Sequence, residues 1–395
     1  MISEDDKETE TNIGFPYIRI DLDQVKENLF ALCGKTRKDV SQVIAVVKDN
    51  SYGLGAGAIS KLLQDAGVKY FAVATIDEAA FLRRQNIRGD ILVLGNVAES
   101  DFATAENLNL TLSAVDKIQL KKIKKAQNIK WHICVDTGMR RDGIMSEDIQ
   151  NDGEILRELK EISSVISGIY THYHSSDDKI QDSVSEQQNK FAAAVSTLQN
   201  AGLNFEVIHT SNSGACAYSK IAENEFIRPG VLLYGCRPDP ARELGIGTNA
   251  SHCVREAAKI YSKVSGIRKI KKGEGVSYGH TWQSQKDSQI ATVAIGYADG
   301  FPRTALGASF EFEGKAGVKT FPLVGRVTMD YIMLDIGDDT EIKIGDTVAL
   351  AGTIDELAIK SGTIGYELLC KFGGLMNRKY ISDGKTAEVS VRELY

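Results

Sequence analysis

Lys48 ends the apolar run Val43-Ile44-Ala45-Val46-Val47, and Gly53, Gly55 and Gly57 follow it closely. So many β-branched residues read as a strand buried on both faces, and the glycines as a sharp turn after it. An ammonium at such a place must reach water or be consumed chemically, and desolvated lysines form Schiff bases with carbonyl compounds. By itself the stretch is better explained by a lysine that snorkels to a rim. Four other segments set polar residues beside apolar runs: Val135-Asp136-Thr137-Gly138-Met139-Arg140-Arg141, Thr171-His172-Tyr173-His174, His209-Thr210-Ser211-Asn212-Ser213-Gly214 and Arg228-Pro229-Gly230-Val231. Singly, a strand-end histidine is more often structural and an arginine more often a surface ion-pair partner.

The elements that must position these residues change the odds. Eight short apolar runs, Val43–Val47, Tyr70–Ala74, Ile91–Leu94, Leu110–Ser113, Trp131–Val135, Ile166–Thr171, Phe205–His209 and Val231–Tyr234, alternate with helix-like stretches such as Ala58–Ala66, Ile76–Arg84, Val115–Lys125 and Ser183–Asn200. That rhythm predicts an α/β fold, an N-terminal (β/α)8 barrel of the TIM type. Its strands end on one rim, and the chemistry-bearing segments meet there.

After Gly235 the pattern turns to period two, in Tyr261–Ile270, Gln289–Ile295, Lys319–Val324 and Tyr331–Ile336, predicting a C-terminal mainly-β domain. We assign 1–12 to a polar tail, 13–240 to the barrel and 241–395 to the β domain, with Cys236 to about His252 as the crossing region. The strand-like Tyr17–Leu22 has no place among the eight and is expected to pack with the C-terminal domain.

Composition narrows the partners. A net charge of -6 over 395 residues gives no basic footprint for nucleic acid or an anionic membrane. No run is apolar for long enough to span a bilayer and the polar N-terminus is no signal peptide, so a cytoplasmic location is expected. Six scattered cysteines without CxxC pairing suggest reduced thiols and no metal site.

The rim suits a phosphorylated aromatic cofactor. Loops after the seventh and eighth strands of such barrels bind phosphate through backbone N–H groups, which places Ser213, Gly214, Gly230 and Val231. Lys48 would hold the aldehyde of pyridoxal 5'-phosphate, His172 would stack on its ring and Arg228 would face the pyridine nitrogen. Because arginine keeps its proton in proteins, that ring would stay unprotonated and be a poorer electron sink than with a carboxylate partner.

Beyond the tail, the chain resembles the alanine racemase family. The family's lysine motif, Val-Val-Lys-Ala-Asn-Ala-Tyr-Gly-His-Gly, is matched by Val46-Val47-Lys48-Asp49-Asn50-Ser51-Tyr52-Gly53-Leu54-Gly55. Further matches are Val276-Ser277-Tyr278-Gly279 followed by Thr281-Trp282, Ile295-Gly296-Tyr297-Ala298-Asp299-Gly300-Phe301-Pro302-Arg303, Gly325-Arg326-Val327-Thr328-Met329-Asp330 and Arg228-Pro229-Gly230-Val231. The resemblance implies an amino acid racemase with alanine as its default substrate. Lys48 and Tyr278 would be opposed bases, and Tyr278 would come from the second subunit of a head-to-tail homodimer whose active sites are shared. It further implies Tyr52, Ser213, Gly230 and Val231 at the phosphate, Arg141, Met329 and Asp330 around the substrate, and Tyr297 at the entrance. A free phenol titrates near 10, so a neighbouring cation or a hydrogen-bond network should assist Tyr278, with Arg141 or His172 as candidates.

Departures from the family pattern bear on substrate choice. Cys134 stands where the family usually carries a lysine, often carbamylated, that orients the arginine. Arg140 replaces a glycine and Leu54 a histidine. By register, Gly374 stands where a phosphate-touching tyrosine narrows the pocket, leaving room for serine or a long or basic amino acid. The competing functions are a decarboxylase of the same fold, a non-catalytic binder of the cofactor, and a nucleotide loop at Gly53–Gly57 whose glycine spacing fits neither the dinucleotide nor the P-loop pattern.

Overall fold

In the computed structural model, the described residues are 14–126, 128–178, 180–238 and 253–389. The expected tail, 1–12, and most of the expected crossing region lie outside them. The chain divides into two compact units, Gln24–Arg255 and a second made of Met1–Asp23 with Glu256–Tyr395.

The first unit is a barrel. Parallel strands run side by side in chain order: Ile44–Val46, Tyr70–Val73, Asp90–Val93, Thr111–Ala114, Lys130–Asp136, Ile166–Tyr170, Val207–Ser211 and Phe226–Ile227. A parallel bridge between Val43 and Ile227 joins the last strand to the first. Ile44, Val46, Ala72, Leu92 and Val207 form one apolar cluster within it, as expected of parallel strands covered on both faces. Capping signals start the flanking helices. Thr75 accepts from the Glu78 N–H ahead of Ile76–Arg84, and Asp116 from the Gln119 N–H ahead of Lys117–Ile123.

The eighth strand corrects the sequence reading. Val231–Tyr234 is a buried 3-10 helix, and the two-residue strand Phe226–Ile227 takes the expected place. A short apolar run fits a buried helix as well as a strand. Pro229 has no N–H to donate to a ladder, so pairing stops before it. Arg228 therefore follows the last strand instead of preceding it, which sets it on the same rim as Lys48.

The second unit is a mixed sheet in the order Gly317–Pro322, Ser309–Gly314, Thr347–Leu350, Ala258–Ile270, Tyr17–Asp21, Asn377–Ser382 and Lys385–Val389. The early strand Tyr17–Asp21 lies between Ala258–Ile270, antiparallel, and Asn377–Ser382, parallel. Ala258–Ile270 alternates buried and half-buried residues along its first half, the period-two signature of a strand with one covered face. Its second half pairs with Ser288–Val293, which pairs in turn with Ile332–Gly337. A small hairpin, Gly275–Val276 with Trp282–Gln283, stands apart.

One half-buried acid in this unit sets up a stability test. The Glu256 carboxylate accepts the Ile354 N–H at 2.6 Å, and burial, reinforced by Asp355 and Glu356, raises its pKa from 4.5 to about 8. Its folded form therefore holds a proton that the unfolded chain releases above about 4.5. The resulting stability is full below that pH and is lost as pH rises through about 8. Glu256→Gln keeps the acceptor and removes the titration. Chemical denaturation of the variant is expected to show higher stability than the parent at pH 8.5 and a smaller decline between pH 5 and 8.5; parallel curves would refute the assignment.

Candidate active site

Lys48 stands two residues beyond the strand Ile44–Val46, on an unusual turn. Asp49, Asn50, Ser51 and Tyr52 have φ of 52, 56, 53 and 54°. Four successive non-glycine residues in the left-handed region cost roughly 1–2 kcal/mol each. The glycines expected to make this turn only prolong it, at Gly53 and Gly55, with φ of 86 and 100°. Backbone bonds from Ser51 N–H to the Val47 carbonyl and from Gly53 N–H to the Asp49 carbonyl close it. Asn50 Oδ1 accepts the Ala56 N–H at 2.8 Å and so helps start the next helix. Glu78 fastens the turn from outside, its Oε1 accepting the Asp49 N–H at 2.5 Å and its Oε2 the Ala74 N–H at 2.7 Å. The Lys48 side chain is 37% exposed, with Nζ 3.7 Å from Asp49 Oδ2.

Arg228 lies inside the same unit and is only 3% exposed. Its Nη1 donates to His209 Nδ1 at 2.9 Å and to the His209 carbonyl at 2.8 Å. Nη2 donates to the carbonyls of Thr171 and Thr210, with His172 Nδ1 at 3.5 Å. No carboxylate among the described residues lies within ion-pair distance. A buried cation held only by neutral acceptors is costly, and an anionic ligand would offset it.

The guanidinium only donates, so His209 Nδ1 must accept and its proton sits on Nε2. His209 Nε2 is 2.9 Å from His132 Nδ1, which accepts in turn. Gly168 makes room for the second ring, because a Cβ there would meet His132 Nε2 at 2.5 Å. Burial and the cation lower the pKa of all three histidines, His132 and His172 to about 3 and His209 well below 6.5, with Lys130 also acting on His132. His172 is thus neutral at pH 7, so of the two expected ways of assisting Tyr278 only the hydrogen-bonding one is open to it. This polar chain replaces the branched apolar filling usual in such barrels.

Gly230, Ser213 and Tyr52 form a narrow cradle. Gly230 N–H donates to Ser213 Oγ at 2.9 Å, and a Cβ on Gly230 would stand 2.5 Å from the Tyr52 hydroxyl. Ser213 begins the helix Ser213–Tyr218, capped by Asn212 Oδ1 on the Ala215 N–H at 3.0 Å, and Val231 begins the 3-10 helix. Leading N–H groups of helices lack intrahelical acceptors and favour anions. With the lysine and the unbalanced guanidinium on the same rim, the cradle fits pyridoxal phosphate. Gly230→Ala is expected to weaken binding of that cofactor roughly ten- to hundredfold, from about 1–3 kcal/mol of overpacking. Equilibrium titration reads the effect, and unchanged affinity would refute the cradle.

The two arginines differ in conformation. Arg140 has φ of 58°, a value suited to the glycine it replaces. Its guanidinium folds back to within 3.6 Å of Asp136 Oδ2. Arg141 is 58% exposed, with Nε 3.4 Å from Asp142 Oδ2. Both line a cavity of about 400 Å³ with Asn96, Asp116 and Asp142. Cys134 is buried against Val115 and Tyr170, and burial raises its thiol to about 11. The neighbour that pairs with Arg141 is Asp142.

The second unit gathers the remaining expected residues. Tyr278 begins a turn inside the small hairpin and is 69% exposed. Ser277 before it has φ 63° and ψ -173°, a region essentially restricted to glycine that costs of order 1–3 kcal/mol. Ser277 Oγ bonds to the Arg326 carbonyl at 2.7 Å. The same segment reaches the Tyr297 turn, where Thr328 and Met329 carbonyls accept the Tyr297 and Ala298 N–H groups. A Cβ on Gly296 would lie 2.1 Å from the Met329 carbonyl oxygen. Met329 and Tyr297 are 54% and 42% exposed.

Lys48, Tyr52, Arg141, His172, Ser213, Arg228, Gly230 and Val231 thus share the barrel unit, while Tyr278, Tyr297, Met329 and Asp330 share the other. The sequence reading gave no role to Glu78, His132 or His209. Thr75-x-x-Glu78 is legible as a capping box, but nothing local shows that its carboxylate also reaches Asp49.

Comparison with known proteins agrees with this layout. The sequence model for the alanine racemase N-terminal domain matches residues 20–238, and that for the alanine racemase C-terminal domain matches 257–380. Alanine racemase 2 of Caldanaerobacter subterraneus is 33% identical over 94% of this chain and 96% of its own length. The alanine racemase of Methanococcus maripaludis is 32% identical over 92% and 98%. Among solved structures, an alanine racemase of Clostridium difficile superposes with a TM-score of 0.85 at 29% identity, covering 97% and 99% of the two chains. The alanine racemase of Bacillus anthracis with bound L-Ala-P gives 0.82 at 29% identity, covering 97% and 100%.

Proposed function

The chain belongs to the alanine racemase family and is a pyridoxal-phosphate-dependent racemase, and on that premise we propose that it interconverts L- and D-alanine with two opposed bases, Lys48 and Tyr278. The observation that carries this reading is Arg228, a buried guanidinium on the lysine's rim with no carboxylate partner among the described residues. When bound, pyridoxal phosphate draws electrons from the amino acid's Cα and so acidifies its proton. Lys48 anchors the cofactor and exchanges that proton on one face. Tyr278 exchanges it on the other, and its exposure suits donation to a second subunit in a homodimer with shared sites. Two opposed bases avoid moving one group around the ligand.

Tyr52, Ser213, Gly230 and Val231 hold the phosphate in this reading, and His172 stacks on the ring as a neutral imidazole. Arg228 faces the ring nitrogen. Arg141, Met329 and Asp330 surround the substrate, and Tyr297 lines the entrance.

Alanine is the default substrate because the relatives carry that name. A larger substrate rests on register alone, which sets Gly374 where the family carries a pocket-narrowing tyrosine. Gly374 is exposed on the helix Gly365–Leu375, and a Cβ there would meet nothing within 4 Å. An amino acid panel on the purified protein, read beside a visible cofactor band that Lys48→Ala should abolish, tests both levels. Serine or lysine should rival alanine if the pocket is enlarged. Alanine ahead by orders of magnitude would refute enlargement, and a band that survives Lys48→Ala would refute the anchor.

A further inference from the structure

Resting on the reading of Lys48 as the cofactor's covalent anchor, we propose that Glu78 is the positioning residue that aims the lysine. Glu78 belongs to the helix Ile76–Arg84, 29 residues from Asp49 in sequence. Its Oε2 accepts the Ala74 and Thr75 N–H groups at 2.7 and 3.2 Å, completing the capping box. A cap needs nothing more. The second oxygen nonetheless reaches into another segment and takes the Asp49 N–H, the peptide N–H directly after Lys48.

That bond falls where the backbone most needs holding. Asp49 is the first of four left-handed residues, and strained backbone persists only when its surroundings over-determine it. The ion pair from Lys48 to Asp49 does not fix the side chain, because both partners are over a third exposed and such pairs are weak and screened. What remains is the backbone, held by the turn's own bonds and by one carboxylate that ties it to the end of the neighbouring strand. Both oxygens of Glu78 accept, so glutamine cannot replace it. An amide would turn an NH2 toward either Asp49 N–H or the Ala74 and Thr75 pair. Charge also shortens and strengthens such bonds.

A clamp that aims an amine should govern its reaction with a bound, oriented aldehyde and not with a small one arriving freely. The test uses the full chain, freed of cofactor with hydroxylamine. Pyridoxal phosphate is added, the mixture is quenched with borohydride at intervals, and modification of Lys48 is read by peptide mass spectrometry; propionaldehyde with cyanoborohydride gives the parallel rate. In Glu78→Gln, capture of pyridoxal phosphate should slow by about tenfold or more while propionaldehyde modification stays within about twofold. Unchanged capture overturns the proposal, and so does an equal fall in both rates, which would mean that Glu78 supports the fold alone. Amide exchange in the parent protein needs no variant. The Asp49 N–H should exchange ~100-fold more slowly than an unprotected amide, and an unprotected rate overturns the clamp. A parent chain that captures no pyridoxal phosphate refutes the anchor reading, and the proposal with it.

Discussion

Tyr278→Phe is expected to lower racemisation by about 10²–10⁴-fold in both directions, the usual contribution of a positioned acid or base. Phenylalanine fills the same space without the hydroxyl. The side chain is 69% exposed, and its hydroxyl has no hydrogen-bond partner among the described residues, so neither cofactor loading nor melting temperature should change appreciably. Exchange of the Cα hydrogen in deuterated water is the sharper measurement. With Lys48 alone, one enantiomer should still exchange its Cα hydrogen while the other loses that ability. If both enantiomers continued to exchange at comparable rates in the variant, Tyr278 would not be a base, and the two-base reading would be wrong. Lys48→Ala should instead remove exchange for both, together with the visible band.

The second large effect concerns acid. His132, His172 and His209 all have folded pKa values below the ordinary 6.5, chiefly through burial, with Arg228 adding to it. A lowered folded value means that the unfolded chain binds more protons below about 6.5. The corresponding stability is complete above that pH and is lost as pH falls below it, toward about 3 for His132 and His172. Three such groups give up to about 4 kcal/mol per pH unit, at ~1.4 kcal/mol per proton. Glu256 opposes them by about one proton between pH 4.5 and 8. Urea denaturation of the cofactor-loaded protein in half-unit steps should therefore show stability falling by roughly 2–3 kcal/mol per pH unit between pH 6 and 5. Glu256→Gln should steepen that fall. A flat profile from pH 7 to 5 would show that the histidines titrate normally and that the chain from Arg228 is not closed.

These histidines show where local sequence stopped being informative. His132 and His209 are 77 residues apart. His132 lies inside a strand with nothing beside it to suggest chemistry, and its partner is supplied by barrel closure alone. His172 was legible as a rim residue, yet its charge state was not. Its neutrality comes from burial beside Arg228, a property of the folded environment that no residue type encodes. Cys134 behaved as its residue type suggests, as a thiol kept protonated in an apolar cluster.

What the sequence determined by itself was periodicity and motif. Seven of the eight barrel strands, the flanking helices and the period-two strands of the second unit follow from apolar spacing, because side-chain direction repeats every 2 or 3.6 residues whatever the partner. The five family signatures fixed Lys48 and Tyr278 as the residues to examine. Tertiary structure decided the rest. It placed the eighth strand at Phe226–Ile227, because the buried run after Pro229 satisfied its backbone as a helix. It made the lysine turn left-handed through four non-glycine residues, because Glu78 and Asn50 hold bonds that no glycine pattern announces. It also left Arg228 buried among neutral acceptors. Spacing along a chain records which way a side chain points, whereas the electrostatic cost of a group depends on what distant segments bring to it.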